Sequence, residues 1–273
     1  MVKFPERHPC FAANPRARYA RLHLPVSPDC NIQCRYCNRA FNLEERRPGV
    51  ASEILAIDGV LARVRDAVSL FPDLTVAGIA GPGEALATEH ALLAFEAIRD
   101  AYPGLMLCMS TNGLMLPYYA DRLRNIGVAA ISVTVNAVVP EILRKIVDCA
   151  NHEELISNQL EGVRLASRFA IVKINTVLIP GINDMHVADV AKAVADAGAH
   201  IQNIMPLVPL NLMSHIPAPT STQLISARDD CGRFIQQFRN CAHCRSDACG
   251  IPAKRGATFD PDSSKFEGTF SHG

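Results

Sequence analysis

One repeated alternation constrains this chain more than any other feature. Six short β-like runs, at 22–26, 75–80, 106–110, 130–135, 172–178 and 202–207, are each followed by helix-compatible sequence. Ala-, Leu- and Glu-rich stretches at 52–70, 89–101, 118–125 and 186–197 lie between them; Ser52 is the expected N-cap of the first and Gly198 ends the last. Such alternation implies parallel strands joined by right-handed crossovers, hence an α/β sheet or barrel. A chain of 273 residues is long enough for a (β/α) barrel as one unit. Three regions are expected: a Pro- and Arg-rich extension at 1–21, the strand–helix body at 22–207, and an extension at 208–273. The last holds several prolines, a helix expected at 220–239, a Cys-rich segment and a polar tail, TFDPDSSKFEGTFSHG, expected to be disordered or loosely packed.

The polar motifs share one position in this march. Residues 30–37 follow the first strand, 81–84 the second and 111–113 the third; Asn136 ends the fourth, and 180–184 follow the fifth. In parallel α/β folds and barrels the site forms at the carboxyl ends of the strands. Five motifs on that rim argue for one site.

Composition excludes several classes. Lys plus Arg equals Asp plus Glu at 27 each, and the absence of a basic tract argues against nucleic acid as a partner. No apolar run approaches the roughly 18 residues of a membrane span, and MVKFPERHPC has no signal-peptide core. A cytoplasmic protein with no membrane partner is expected. Its ten cysteines are too sparse for a small disulfide scaffold; clustered in a reduced compartment, they point to metal ligands or catalytic groups.

The stretch CNIQCRYCNR places Cys30, Cys34 and Cys37 at C-x₃-C-x₂-C spacing. Three such thiols could hold a metal, join a disulfide framework or fill a core. Thiolates suit zinc or iron–sulfur clusters, and zinc sites usually need four protein ligands. Three thiols without a local fourth suit a cubane that leaves one iron open to a small molecule. The spacing, with Tyr36 before the last cysteine and just after a first strand, resembles the signature of radical S-adenosylmethionine (SAM) enzymes. AGPGEAL then resembles that superfamily's Gly-Gly-Glu-type loop, which holds the amino group of SAM's methionine; Gly81, Gly83 and Glu84 would do so here. Asn112, Asn136 and Asn175 are expected to add polar contacts to the cofactor.

A narrower resemblance follows from HPC at 8–10, ARLHLPV with His23, RPGVASE, LCMSTNG, VTVNAV, INTVLIPGIND, NIMPL and CAHCRSDACG, in that order. Over roughly residues 7–251 the chain resembles the nitrogenase cofactor maturases of the NifB family. The resemblance implies a partial (β/α)6 radical SAM barrel with N- and C-terminal cluster-binding extensions. It also implies one SAM-binding [4Fe–4S] cluster and two further [4Fe–4S] clusters that are fused, with an added sulfur and a SAM-derived carbide, into an eight-iron precursor. By that analogy Cys30, Cys34 and Cys37 hold the catalytic cubane and Cys10 and Cys108 ligate one substrate cluster. Cys241 and Cys244 then ligate the other, with His23 as a nitrogen ligand. The implied partners are an iron–sulfur cluster donor, a reductant protein and a downstream carrier or scaffold. A longer member's additional cofactor-carrying domain is not seen here, so handover to a separate partner is expected.

One departure stands out. The family usually has a cysteine shortly before E-x-R-P-G; here the segment reads AFNLEERRPG, with Asn42 and Leu43 in its place. The first substrate cluster would then lack a ligand or recruit Glu44, Glu45 or another cysteine. Taken without the family, the residues leave other readings open. Cys10 and Cys108 could be buried thiols. Cys241, Cys244 and Cys249 with His243 could be a zinc knuckle, and His23 a core histidine. Cys149 and Cys231 read as structural, and His8 receives no role. Arg245 and Asp247 either orient the late cluster or pair with each other. Rival functions are a molybdopterin-type radical SAM maturase with an auxiliary cluster and a non-catalytic iron–sulfur scaffold.

Overall fold

A computed structural model describes residues 6–11, 19–252, 259–260 and 265–266. Six strands run parallel: β1 (Ala20–His23), β2 (Leu74–Ile79), β3 (Met106–Thr111), β4 (Val128–Thr134), β5 (Ile171–Leu178) and β6 (Ile201–Pro206). They pair in that order, and a seventh, β7 (Cys249–Gly250), closes the β1 edge antiparallel. The helices α1 (Val60–Leu70), α2 (His90–Ala101), α3 (Leu116–Ile126), α4 (His152–Ala166) and α5 (Val187–Asp196) follow successive strands, and α6 (Ser221–Cys231) follows β6. This is the expected α/β class, a curled, half-barrel sheet in the (β/α)6 order.

Two layers of side chains follow from strand alternation. Leu22, Ile79, Leu107, Ile131, Val172 and Ile204 pack outward against Phe95, Leu123, Val163 and Val190 of the helices. Arg21, His23, Cys108, Lys173 and Asn203, one position away, turn into the barrel. Near the amino ends of the strands Phe11 and Phe238 plug that interior against Ala130, Ile171 and Ile201. Local chemistry marks the helix ends. Asn151 caps α4 by accepting from the amides of Glu153 (3.1 Å) and Glu154 (3.2 Å), and Gly127, at φ 83°, ends α3 in the left-handed region. Thr220 and Gln223 form a capping box on α6.

Several expected boundaries move. β1 begins at Ala20 and stops at His23, earlier than 22–26. Ser52 does not cap a helix: its amide donates to Asp247 Oδ2 (2.6 Å), and α1 starts only at Val60 after a short 3-10 turn. The helix expected at 220–239 ends at Cys231, because Gln236 O and Phe238 N–H bond Gln202 and draw the chain beneath β6. Within the expected C-terminal extension, β7 joins the main sheet. The expected tail falls largely outside the described residues; of it, Phe259–Asp260 pairs with Lys265–Phe266.

The loop after β5 is stapled by Asn183, which is fully buried. Its Oδ1 accepts from Ile179 N–H (2.8 Å), and its Nδ2 donates to Asn136 O (3.0 Å) and Val177 O (2.9 Å). Asn183→Ala should lower the unfolding free energy of the cluster-free chain by roughly 2–4 kcal/mol, since it strands three buried backbone groups; urea titration followed by circular dichroism measures this.

Candidate functional site

The first cysteine cluster is held at the carboxyl rim by backbone pairing. Gln33–Cys34 pairs antiparallel with Val147–Asp148, and Arg35 bonds Asp148 at 2.6 Å on the outside. Cys37 N–H donates to Cys34 O (3.0 Å), closing a turn that Asn211 buttresses by donating to Cys37 O (3.1 Å). Tyr36 turns inward, where its hydroxyl accepts from Asn136 Nδ2 (3.0 Å) and supports the Cys34 sulfur. Burial and the neighbouring Cys37 nevertheless push the free Cys34 thiol up to about 12.

Opposite lies the glycine loop. Gly83 N–H donates to Ser27 O (2.8 Å) and Glu84 N–H to Asp29 O (2.7 Å), so this loop runs alongside the segment leading into the cysteines. A Cβ on Gly83 would stand 2.8 Å from Ser27 O and collide with Asp29 O. Only glycine permits that approach. Glu84, nearly buried, accepts from Thr111 Oγ1 (2.5 Å) and Leu86 N–H (3.0 Å) on one oxygen and from Asn112 N–H (2.5 Å) on the other. Burial raises its pKa and these three donors oppose the shift.

Between the loops opens a cavity of about 250 Å³, lined by Cys30, Cys34, Cys37, Gly81, Gly83, Glu84, Asn112 and Asn136 among others. Of the expected SAM-site residues, all but Asn175 line it. Asn136 has already committed its amide, donating to Tyr36 and accepting from Val177 N–H (2.9 Å), so it acts through the tyrosine. Asn175 lies deeper in the barrel, where its Oδ1 accepts from Asn203 Nδ2 (3.1 Å). Gln159 of α4 was not singled out in the sequence. Gln159 lines the cavity; its Nε2 donates to Asn112 O (2.8 Å) and Thr134 O (2.9 Å), leaving a buried Oε1 without a partner among the described residues. Three soft thiols on one loop, a carboxylate and an orphaned acceptor suit a cubane with SAM bound beside it.

The remaining candidate ligands converge inside the barrel. Cys10, Cys108 and Cys241 pack around the plug of Phe11 and Phe238. Cys244 Sγ accepts from Arg21 Nη2 (2.8 Å), and Cys10 lies within the electrostatic reach of both Cys244 and Cys241. His23 and Cys108 flank Gly78 on adjacent strands, separated there only by a residue with no side chain. The His23 Nδ1 faces Arg245 O (3.1 Å); a carbonyl only accepts, so Nδ1 carries the proton and Nε2 keeps its lone pair. Burial and Arg21 hold His23 at about 3, neutral and fit to ligate. His243 lines the upper cavity and hydrogen-bonds Cys241, so the two tiers meet at that ring. Burial raises the Cys241 thiol, but His243 and Lys173 together outweigh it and bring the pKa to about 6.

A knuckle of Cys241, Cys244 and Cys249 is not formed: Cys249 is on β7 and packs in the outer apolar layer, whereas Cys241 packs against the plug inside the barrel. Arg245 and Asp247 pair with each other (2.9 and 2.8 Å).

Residues 24–194 match the family model described as the Radical SAM superfamily. The FeMo cofactor biosynthesis protein NifB of Methanocaldococcus jannaschii is 41% identical over 91% of this chain and 87% of that one. Its counterpart in Klebsiella pneumoniae is 42% identical over 89% of this chain but only 56% of its own length. The chain belongs to the NifB family. It is thus a radical SAM enzyme, and the family implies a [4Fe–4S] cluster and SAM. The fold agrees: Streptococcus suis SuiB superposes with a TM-score of 0.61 at 11% identity, over 82% of this chain and 50% of that one. The FeFe-hydrogenase maturase HydG of Carboxydothermus hydrogenoformans gives 0.54 at 17%, over 86% and 60%.

The departure from the NifB pattern at Asn42 and Leu43 falls on an exposed turn at the rim. Asn42 Oδ1 accepts from the amides of Glu44 (3.2 Å) and Glu45 (2.8 Å), and Glu45 is taken up by Arg47 (2.6 Å). His8, left without a role in the sequence, is buried; its Nδ1 accepts from Cys10 N–H (3.1 Å), which places the proton on an Nε2 that has no partner among the described residues. No helix among the described residues is long and apolar enough to cross a membrane. Gly83→Ala should weaken SAM binding by about tenfold or more, read by titration calorimetry on the anaerobic protein, with the fold retained.

Proposed function

We propose that this chain acts in FeMo cofactor biosynthesis by fusing two [4Fe–4S] substrate clusters, with an added sulfur and a SAM-derived carbide, into an eight-iron core precursor. The observation that carries this reading is the gathering of Cys10, Cys108, Cys241, Cys244 and His23 inside the barrel, joined to the SAM cavity at His243. The similarity to curated NifB proteins supports it.

Cys30, Cys34 and Cys37 are the residues that would hold the catalytic cubane. Once bound, that cluster and SAM supply one-electron carbon–sulfur cleavage and a methyl group. Glu84 presents a carboxylate with three donors satisfied and one lone-pair direction left for the ammonium of methionine. Tyr36 and Gln159 wall the cavity, the first fixing Cys34 and the second offering its free Oε1 to the ligand. For the substrate clusters the division is the one the resemblance implies, Cys10 with Cys108 and Cys241 with Cys244 and His23; Cys10 lies within electrostatic reach of Cys108, Cys241 and Cys244, and His23 and Cys108 face across Gly78. Incomplete protein ligation suits a cluster that must leave. A molybdopterin-type maturase would give Cys10 and Cys108 no task. The partners proposed with this reading are a cluster donor, a reductant protein and a receiving carrier.

The test supplies reconstituted clusters, reductant and methyl-labelled SAM, with no organic substrate. Labelled carbon bound to iron supports fusion; label appearing only in small organic products contradicts it. Cys34→Ala should abolish SAM cleavage and spare the interior clusters, whereas Cys244→Ala should spare SAM cleavage and prevent the large cluster. Undiminished product from Cys244→Ala would overturn the role given to that segment.

A further inference from the structure

The barrel interior contains two buried cations with no carboxylate partner among the described residues. Arg21, 0% exposed, donates from Nη1 to Gly250 O (2.7 Å) and from Nη2 to Cys244 Sγ (2.8 Å), and its Nε has no partner among the described residues. Lys173, 6% exposed, reaches Cys10 O at 3.2 Å and lies over the rings of Phe11 (4.5 Å) and Phe238 (5.3 Å). The buried acids are engaged elsewhere, Asp247 by Arg245 and Glu84 by its three donors. His8 and His23 are held neutral by burial and by these cations. A buried charge without a counter-charge is costly, and a chain that keeps two of them on the inner face of one barrel has an anion to receive there.

The groups facing Lys173 identify that anion. Its Nζ reaches the carbonyl of Cys10 and lies over the aromatic plug on which Cys10, Cys108 and Cys241 pack, so it touches both ligand groups, while Arg21 donates to Cys244 Sγ (2.8 Å). Thiolate-ligated iron–sulfur clusters are anions, and joining two of them brings their charges together. We propose that Lys173, with Arg21 beside it, is the counter-charge that positions both anionic substrate clusters in the barrel. The inference rests on the function proposed above. Lys173 is a positioning residue: a protonated amine has donors and no lone pair, so it steers and retains the clusters without ligating iron.

The test uses the full chain with Cys30, Cys34 and Cys37 all replaced by Ala, so that bound iron reports the interior alone. After anaerobic reconstitution with ferrous iron and sulfide, Lys173→Met and Lys173→Arg are compared with the lysine parent. Lys173→Met should lose iron to a chelator at least about tenfold faster, as removing one partner of a buried charge pair does. Its cluster reduction potential should fall, because the charge favouring the more anionic reduced form has gone. Lys173→Arg should restore both. Without clusters, Lys173→Met should melt at a higher temperature than the parent, the uncompensated charge having been removed; a lysine with only a structural role would give a lower one. Unchanged iron release and potential in Lys173→Met overturn the inference while leaving the proposed function standing, and so does a lowered melting temperature that Lys173→Arg reverses without changing cluster retention. If the lysine parent itself holds no iron, the proposed function fails and the inference falls with it.

Discussion

The bidentate pair between Arg245 and Asp247, both almost fully buried, is the contact on which the site's parts depend. Arg245 also donates to the carbonyls of Asn42 (2.8 Å) and Glu45 (2.7 Å), and Asp247 accepts from Ser52 N–H, so the segment after the first cysteine cluster is tied down at both ends. The carbonyl of Arg245 orients His23, and Ser246 between them donates to Ala80 O (3.0 Å) at the start of the glycine loop. Removing one partner of such a pair typically costs about 3–5 kcal/mol, since the other charge is left buried and unpaired. Here the loss would also release the cysteine loop, the glycine loop and a candidate ligand together.

That clamp explains how a half-barrel can keep two chemistries adjacent. The carboxyl rim provides loops, where glycine and backbone pairing can shape a cofactor cavity. The strands below provide rigid, inward-facing positions for ligands that must act on a bulky cargo. Gly78 is the simplest expression of that need: with no side chain between His23 and Cys108, the wall recedes where those two groups face each other. The interior is polar, thiol-rich and cationic where an ordinary barrel would be filled with Val, Ile and Leu.

Much of this was legible because its signals are local. Strand periodicity, the C-x₃-C-x₂-C spacing and the position of each polar motif after a strand located the rim and most of its cavity. The failures share a physical cause: they depend on contacts between segments far apart in sequence. Ser52 has an N-cap's chemistry, but Asp247, 195 residues away, takes its amide. The segment after Cys231 has helix-compatible composition, but Gln202 competes for its backbone. Asn175 is on the right strand and one layer too deep, which strand register alone decides. Gln159 sits within an ordinary amphipathic helix, and only the close approach of α4 to Gly113 brings it to the cavity. The nearness of Cys10 to Cys241 and Cys244 needs the amino-terminal segment and the segment before β7 to meet inside the barrel, which spacing cannot express.

We propose that one barrel holds a cofactor cluster at its rim and two substrate clusters within. The most direct measurement is iron and acid-labile sulfide per chain after anaerobic reconstitution of the unaltered protein. Three cubanes give about twelve irons. A value of about four, with only the rim cluster filled, would contradict it.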